Sequence, residues 1–211
     1  MTDPENNEQN RLDFLAKFPW HKSVLTNEQK REVGKLLVEF HDVFAKHRFD
    51  VGYNVDHKIK LTPERSIPIY AQGPPTPTHL RDELKVDLAF MHYYGLITTL
   101  AQSKYSSPLF AQRKSSGKLR LLIDLRKVNH LLKKDYLNTN FPISNKDDAF
   151  NYFAGKKLFT KLECSQAYHC VQMVDDISVQ LLGFNFASRT YAYKCLAQGL
   201  NKSVTGFSCF I

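Results

Sequence analysis

No apolar run in this 211-residue chain approaches the ~18 residues that a membrane-spanning helix needs. The first ten residues, MTDPENNEQN, are polar and lack the hydrophobic core of a secretory signal. These two absences point to an intracellular protein, in cytoplasm or nucleus, that is not secreted and does not enter a membrane. Cysteine is scarce, with only Cys164, Cys170, Cys195 and Cys209. None forms a CxxC pair and no histidine stands at zinc-finger spacing from them, which speaks against a structural metal. Reduced thiols packed in the core are expected. No internal repeat or low-complexity tract is visible. Acid is in short supply as well: 21 Asp and Glu face 29 Lys and Arg, leaving a formal net charge of +8 and a pI of about 9.2. That balance favours an anionic partner such as nucleic acid or an anionic membrane surface.

What is present is ordinary in bulk and uneven in detail. A hydrophobic content of 43% allows a sizeable core, and the length suits one large domain or two small ones. Between Ala101 and Asp135 the bases are Lys104, Arg113, Lys114, Lys118, Arg120, Arg126, Lys127, Lys133 and Lys134, against Asp124 and Asp135. Nine bases less two acids place +7 of the +8 in one segment.

Taken in order, Met1 to about Asn10 reads as disordered, with few apolar groups. Thr26 and Gln29 form a capping box, and Val33, Leu36, Leu37, Phe40 and Phe44 share one helical face behind it. Val51 to Pro75 is extended and turn-rich, because Pro63, Pro68, Pro74 and Pro75 forbid a long helix; a strand over His57–Leu61 fits there. A second helix starts with Thr76 as N-cap and Pro77 at N1, buries Leu80, Leu84, Leu88 and Met91, and is capped by Gly95. Leu109–Lys114 and Leu119–Asp124, joined by Ser115-Ser116-Gly117-Lys118, read as a β-hairpin. Tipped with Arg113, Lys114, Lys118 and Arg120, it would reach a phosphate-rich ligand.

Asp147–Phe153 is expected as a helix ending near Gly155. Leu158–Glu163 reads as a short buried strand ending on an acid, followed by a tight turn that presents Ala167 and Tyr168. Cys170–Met173, Leu181–Phe186 and Tyr191–Cys195 read as further strands. Asp175 and Asp176 are expected as solvated acids in a turn. Gln198-Gly199-Leu200 is a loop, and a helix starts at Lys202.

From about Phe40 to Ile211 the chain resembles the N-terminal part of the reverse transcriptase of gypsy-type LTR retrotransposons. Four motifs carry the likeness, in order and at matching separations: YSSPLFAQRK at Tyr105–Lys114, GKLRLLIDLRKVN at Gly117–Asn129, KLFTKLECSQAYH at Lys157–His169, and LAQGL at Leu196–Leu200. The resemblance implies an α+β right-hand polymerase fold. Residues 1–50 would be a polar tail and linker helix, and 51–211 the fingers with the first part of the palm. It implies RNA-directed DNA synthesis by two-metal nucleotidyl transfer, with Mg2+ or Mn2+ as cofactor. The implied partners are dNTPs, an RNA template and an RNA–DNA hybrid.

Residue by residue, the resemblance casts Lys114 and Arg120 as holders of dNTP phosphates and Asp124 as the acid following that motif. Glu163 falls at the first metal aspartate, and Cys164 at the residue lending a main-chain metal ligand. Ala167 and Tyr168 lie under the nucleotide sugar, and Gln198 contacts nucleotide and template. Two departures stand out. Glu163 replaces an aspartate, and one extra methylene displaces the carboxylate in a site where small misplacements can cost ~10²-fold. The Tyr-x-Asp-Asp hairpin with the other two carboxylates is absent from these residues. The expectation is a truncated, inactive polymerase fragment. The alternative is a non-catalytic nucleic-acid-binding protein that keeps the basic fingers. A third reading makes the helix beginning at Thr26 a protein-interaction module.

Overall fold

The computed structural model describes residues 8–52, 58–115, 117–132 and 146–208. His57, Lys133, Lys134, Asp135 and Cys209 lie outside them. The chain divides into two compact units, Met1–Asp50 and Val51–Ile211.

In the first unit, helix α1 (Glu8–Leu15) occupies part of the stretch expected to be disordered. It is held by tertiary packing that its own polar composition does not announce. Helix α2 (Asn27–Glu39) starts as expected. The Thr26 hydroxyl accepts from the Gln29 amide at 3.3 Å, and the Gln29 side chain accepts from the Thr26 amide at 2.9 Å. Its buried positions are Gly34 and Val38, whereas Leu36 and Phe40 stay exposed. The stripe is therefore rotated from the one predicted. Gly34 draws α1 in, with Leu15 only 3.6 Å from where a Cβ would stand. Edge-to-face contacts among Phe14, Phe18 and Phe44, at 5.3–5.7 Å, close the cluster.

The second unit opens with two short strands, β1 (Lys58–Ile59) and β2 (Ile69–Tyr70). Helix α3 (Thr78–Tyr93) begins after Pro77, which serves as N-cap without a side-chain cap. The predicted Thr76 cap is thus displaced by one residue. Leu80, Leu84, Leu88 and Met91 are buried as predicted, each worth about 1.5–3 kcal/mol of transfer free energy. Gly95 ends the helix at φ +71. Its amide donates to the His92 carbonyl and that of Leu96 to Met91, the paired bonds of a Schellman cap.

Strands β3 (Ile97–Leu100) and β4 (Tyr105–Ser106) lead into the hairpin β5 (Leu109–Arg113) and β6 (Leu119–Ile123). Helices α4 (Arg126–Leu131) and α5 (Lys146–Phe153) follow, the latter ended near Gly155 as expected. The remaining elements are β7 (Gln172–Met173), α6 (Asp176–Leu181), β8 (Gly183–Phe186), β9 (Arg189–Tyr193) and α7 (Ser203–Ser208). The sheets are small: antiparallel β3-β9-β8, the β5-β6 hairpin, and the parallel pairs β1-β7 and β2-β4. Phe184, Leu84, Met91, Leu96, Leu181 and Leu196 form the fully buried centre beneath them. This mixed architecture is the α+β class expected. Gly183 is required where β8 meets β4, because a Cβ there would collide with the Tyr105 carbonyl.

Two local expectations fail. Residues 156–164 form no strand and lie exposed. Leu158, Phe159 and Leu162 are 54%, 63% and 80% accessible. A strand exists only with a partner for its backbone groups, and no described strand pairs with this segment. Asp175 and Asp176 begin a helix rather than form a plain turn. Asp175 caps α6, accepting from the Ser178 amide at 2.9 Å and the Ser178 hydroxyl at 2.7 Å. Among the described residues no helix is long and apolar enough to cross a membrane.

Candidate nucleic-acid interface

The period of two in the hairpin sorts its cations. Leu109 pairs with Ile123, Ala111 with Leu121 and Arg113 with Leu119. These residues share the inner face, where Leu109, Leu119 and Ile123 are buried. Arg113 therefore turns inward to α3, where its guanidinium donates to Glu83 at 2.8 Å and to the Gly117 carbonyl at 2.7 Å. It is a structural anchor rather than the free tip cation predicted. Gln112 pairs with Arg120 on the outer face. Lys114 and Lys118 continue that face, and the Lys114 amide donates to the Lys118 carbonyl at 2.9 Å. Gly117, at φ +79, turns the chain between the strands.

The outer face keeps its charge. Lys114, Lys118 and Arg120 are exposed, and none forms an ion pair among the described residues. Arg126 is neutralised instead: its guanidinium grips the Asp124 carboxylate with contacts of 2.6–3.0 Å. Those hydrogen bonds hold the Asp124 carboxyl below the usual range. Asp124 thus fixes the start of α4, and no bond joins it to Lys114 or Arg120.

Arg120 reaches across 78 residues of sequence and donates to the Gln198 side-chain carbonyl at 3.1 Å. The loop holding Gln198 is clamped from α4. The Asn129 side chain donates to the Gly199 carbonyl and accepts from the Asn201 amide, both at 2.9 Å. Sequence reasoning passed over Asn129, although it closes the second motif. The amide of Leu196 donates to the Val171 carbonyl at 2.9 Å, and Gln172 bridges Cys195. The Gln198 loop and the turn before Val171 therefore sit at the same end of one ladder.

That turn is a 3-10 helix over Ala167–Cys170, entered through Gln166 at φ +51. Ala167 and Tyr168 are half-buried. The Tyr168 ring meets Phe207 of α7 edge to face at 5.7 Å, and the α7 residue Ser203 donates its hydroxyl to the Ala197 carbonyl at 2.8 Å. Tyr168, Gln198 and Arg120 are thereby tied into one neighbourhood. Beneath the turn, His169 is buried against Tyr193, ring centroids 5.5 Å apart. Burial lowers its pKa to about 4.

Glu163 and Cys164 stand apart, exposed on the irregular segment before the turn. Of the cysteines described, Cys164 is exposed, Cys170 half-buried and only Cys195 buried, so the expectation of core thiols holds for one of the three. Burial, and then the neighbouring Cys164, raises the Cys170 thiol pKa. Among the described residues no three His, Cys, Asp or Glu side chains gather to hold a metal ion. Glu163 supplies one carboxylate, and two-metal chemistry requires several in a shared frame. On the described residues alone, Glu163 does not make a site that fits Mg2+ or Mn2+.

No protein-family model matches the chain. It is 22% identical over 184 residues to the retrovirus-related Pol polyprotein from transposon opus of Drosophila melanogaster, covering 85% of this chain and 18% of that protein. Its fold superposes on the crystal structure of prototype foamy virus protease–reverse transcriptase with a TM-score of 0.80 at 18% identity, covering 94% of this chain and 26% of that one. It also matches the foamy viral enzyme in complex with RNA/DNA hybrid, with a TM-score of 0.69, 16% identity, and coverage of 94% and 26%. The chain thus spans about a quarter or less of these relatives. It has a fold like that of these protease–reverse transcriptases, and its sequence is similar to part of a retrovirus-related Pol polyprotein.

Proposed function

We propose that this chain is the fingers and first part of the palm of a gypsy-type LTR retrotransposon reverse transcriptase. It binds nucleic-acid backbone and dNTP phosphates through Lys114, Lys118 and Arg120. The observation that carries this reading is the Arg120–Gln198 contact at the edge of an outer face whose cations have no carboxylate partner among the described residues. A guanidinium held by a neutral amide keeps its full charge, and its remaining N–H groups stay free for a bidentate phosphate. Gln198 and Tyr168 then border the place a nucleotide would occupy. The likeness to an enzyme solved with an RNA/DNA hybrid supports an RNA template and an RNA–DNA hybrid as the larger partners.

The 211 residues do not polymerise by themselves on this reading. Glu163 is a single carboxylate one methylene longer than the family's aspartate, and among the described residues no companions gather around it. Extension of a template–primer by the purified protein, with dNTPs and magnesium or manganese, tests this. No incorporation is expected, and clear incorporation overturns it. Uncompensated cations also support the second reading, a non-catalytic nucleic-acid binder. Both readings require binding of an RNA–DNA hybrid that falls steeply with salt as counterions are released, with a log–log slope of roughly −2.1 to −2.7 for three phosphate contacts. Affinity independent of salt contradicts both.

A further inference from the structure

Away from the hairpin's outer face, two adjoining cavities run along α3 and the β8–β9 hairpin, with volumes of about 850 and about 590 Å3. They share Lys85, Phe186, Ala187 and Arg189, so they form one groove. Leu109, from the inner face of β5, contributes to its wall, whereas Lys114, Lys118 and Arg120 do not line it. No aspartate or glutamate lines either cavity.

The lining has the chemistry of an anion track. Arg81, Lys85 and Arg189 are exposed. Arg81 donates through Nε to the Thr76 carbonyl at 3.1 Å, which leaves its terminal nitrogens available. Lys85 leans on Asp82 at 2.8 Å, an exposed pair that solvent screens and a phosphate can displace. Arg189 has no ion-pair partner among the described residues. Ser107, only 2% accessible, lines the larger cavity, and its buried hydroxyl has no hydrogen-bond partner among the described residues. Leaving such a group unmet is unfavourable, and a turn of the side chain toward the cavity would let a phosphate oxygen or a bridging water meet it. The smaller cavity adds an aromatic face. Tyr191 is half-buried and stacked on Phe184 at 5.7 Å with a 20° tilt, which leaves its other side toward the groove.

We propose that this groove is a second nucleic-acid track, specific for single strands. Arg81, Lys85 and Arg189 hold successive phosphates while a base stacks on Tyr191. Cations in a row beside an aromatic platform are what a single strand uses, because its bases are free to stack and a duplex hides them. The inference is independent of the Arg120–Gln198 reading.

Fluorescence anisotropy of a 5′-labelled oligo-dT 12-mer tests it, with wild-type protein, Arg81→Ala/Arg189→Ala, Arg81→Lys/Arg189→Lys, and Lys114→Ala/Arg120→Ala. The groove alanine pair should weaken oligo-dT binding at least tenfold and make the salt slope shallower by about 1.4, the loss of two single-strand contacts. The lysine pair should restore most of the affinity. Ultraviolet cross-linking to the oligonucleotide should recover the peptide holding Tyr191. Wild-type affinity and slope in the groove alanine pair overturn the proposal. So do cross-links confined to Leu109–Ile123, or equal binding of polyglutamate without an aromatic cross-link, which would mark a generic polyanion surface. A groove effect with normal oligo-dT binding in Lys114→Ala/Arg120→Ala supports the groove as an independent site, and the converse result refutes it. The altered side chains are exposed, and thermal unfolding by circular dichroism checks that each variant folds.

Discussion

Replacing His169 with phenylalanine should remove most of an acid-induced loss of stability centred between pH 4 and 6.5. The ring is 6% accessible, its Nδ1 has no hydrogen-bond partner among the described residues, and it lies against Tyr193. Burial lowers its pKa from 6.5 to about 4, so the unfolded chain takes up the proton first. Stability contributed by the neutral ring is complete above pH 6.5 and is lost as pH falls toward 4. A gap of 2.5 pH units is worth about 3.4 kcal/mol in full, and about 2 kcal/mol of it is lost between pH 7 and pH 5. Other groups titrate in the same range, so the quantity to measure is the difference between wild type and His169→Phe in urea unfolding at both pH values. Phenylalanine keeps the ring's shape and removes the unmet nitrogen, so the variant should be about 1 kcal/mol more stable at pH 7. Its advantage should grow by about 2 kcal/mol at pH 5. An advantage that does not change with pH refutes the reasoning.

Three further perturbations test the fold within each unit. The β8–β9 turn holds Ala187 at φ +47 and Ser188 at φ +61, so Ala187→Asn/Ser188→Gly, the preferred pair for such a turn, should stabilise the protein by about 1–2 kcal/mol in urea unfolding. Gly183→Ala drives a methyl into the Tyr105 carbonyl and should destabilise by about 2–3 kcal/mol in the same assay; a neutral result would place β4 and β8 farther apart than described. Thr26→Ala removes the α2 capping box and should cost about 1 kcal/mol, read as lost helicity and a lower midpoint.

How much of this was legible in the sequence depends on the range of the interactions involved. The α2 capping box, the Leu80–Met91 stripe and the hairpin are written in residues three to fourteen apart, and they appear nearly where predicted. The Asp175 cap was legible too, since Asp-x-x-Ser stands in the sequence, but two adjacent acids between apolar runs were read as a turn. The failures are non-local. Whether Leu158–Glu163 is a strand depends on a partner that no local pattern supplies. Arg113 looked like another tip cation until the register turned it toward Glu83 of α3. Resemblance named Arg120 and Gln198 separately, and only the folded chain brings them to 3.1 Å. The groove cations come from α3 and β9, about a hundred residues apart, so no motif could have announced them.

The central claim is that the outer face of the β5–β6 hairpin, with Gln198 at its edge, grips phosphates. The most direct measurement is the salt dependence of RNA–DNA hybrid binding by wild-type protein and by Lys114→Ala/Arg120→Ala. The double variant should bind at least tenfold more weakly at low salt, with a log–log slope shallower by roughly 1.4–1.8, the loss of two phosphate contacts. The same affinity and the same slope in both proteins would contradict the claim.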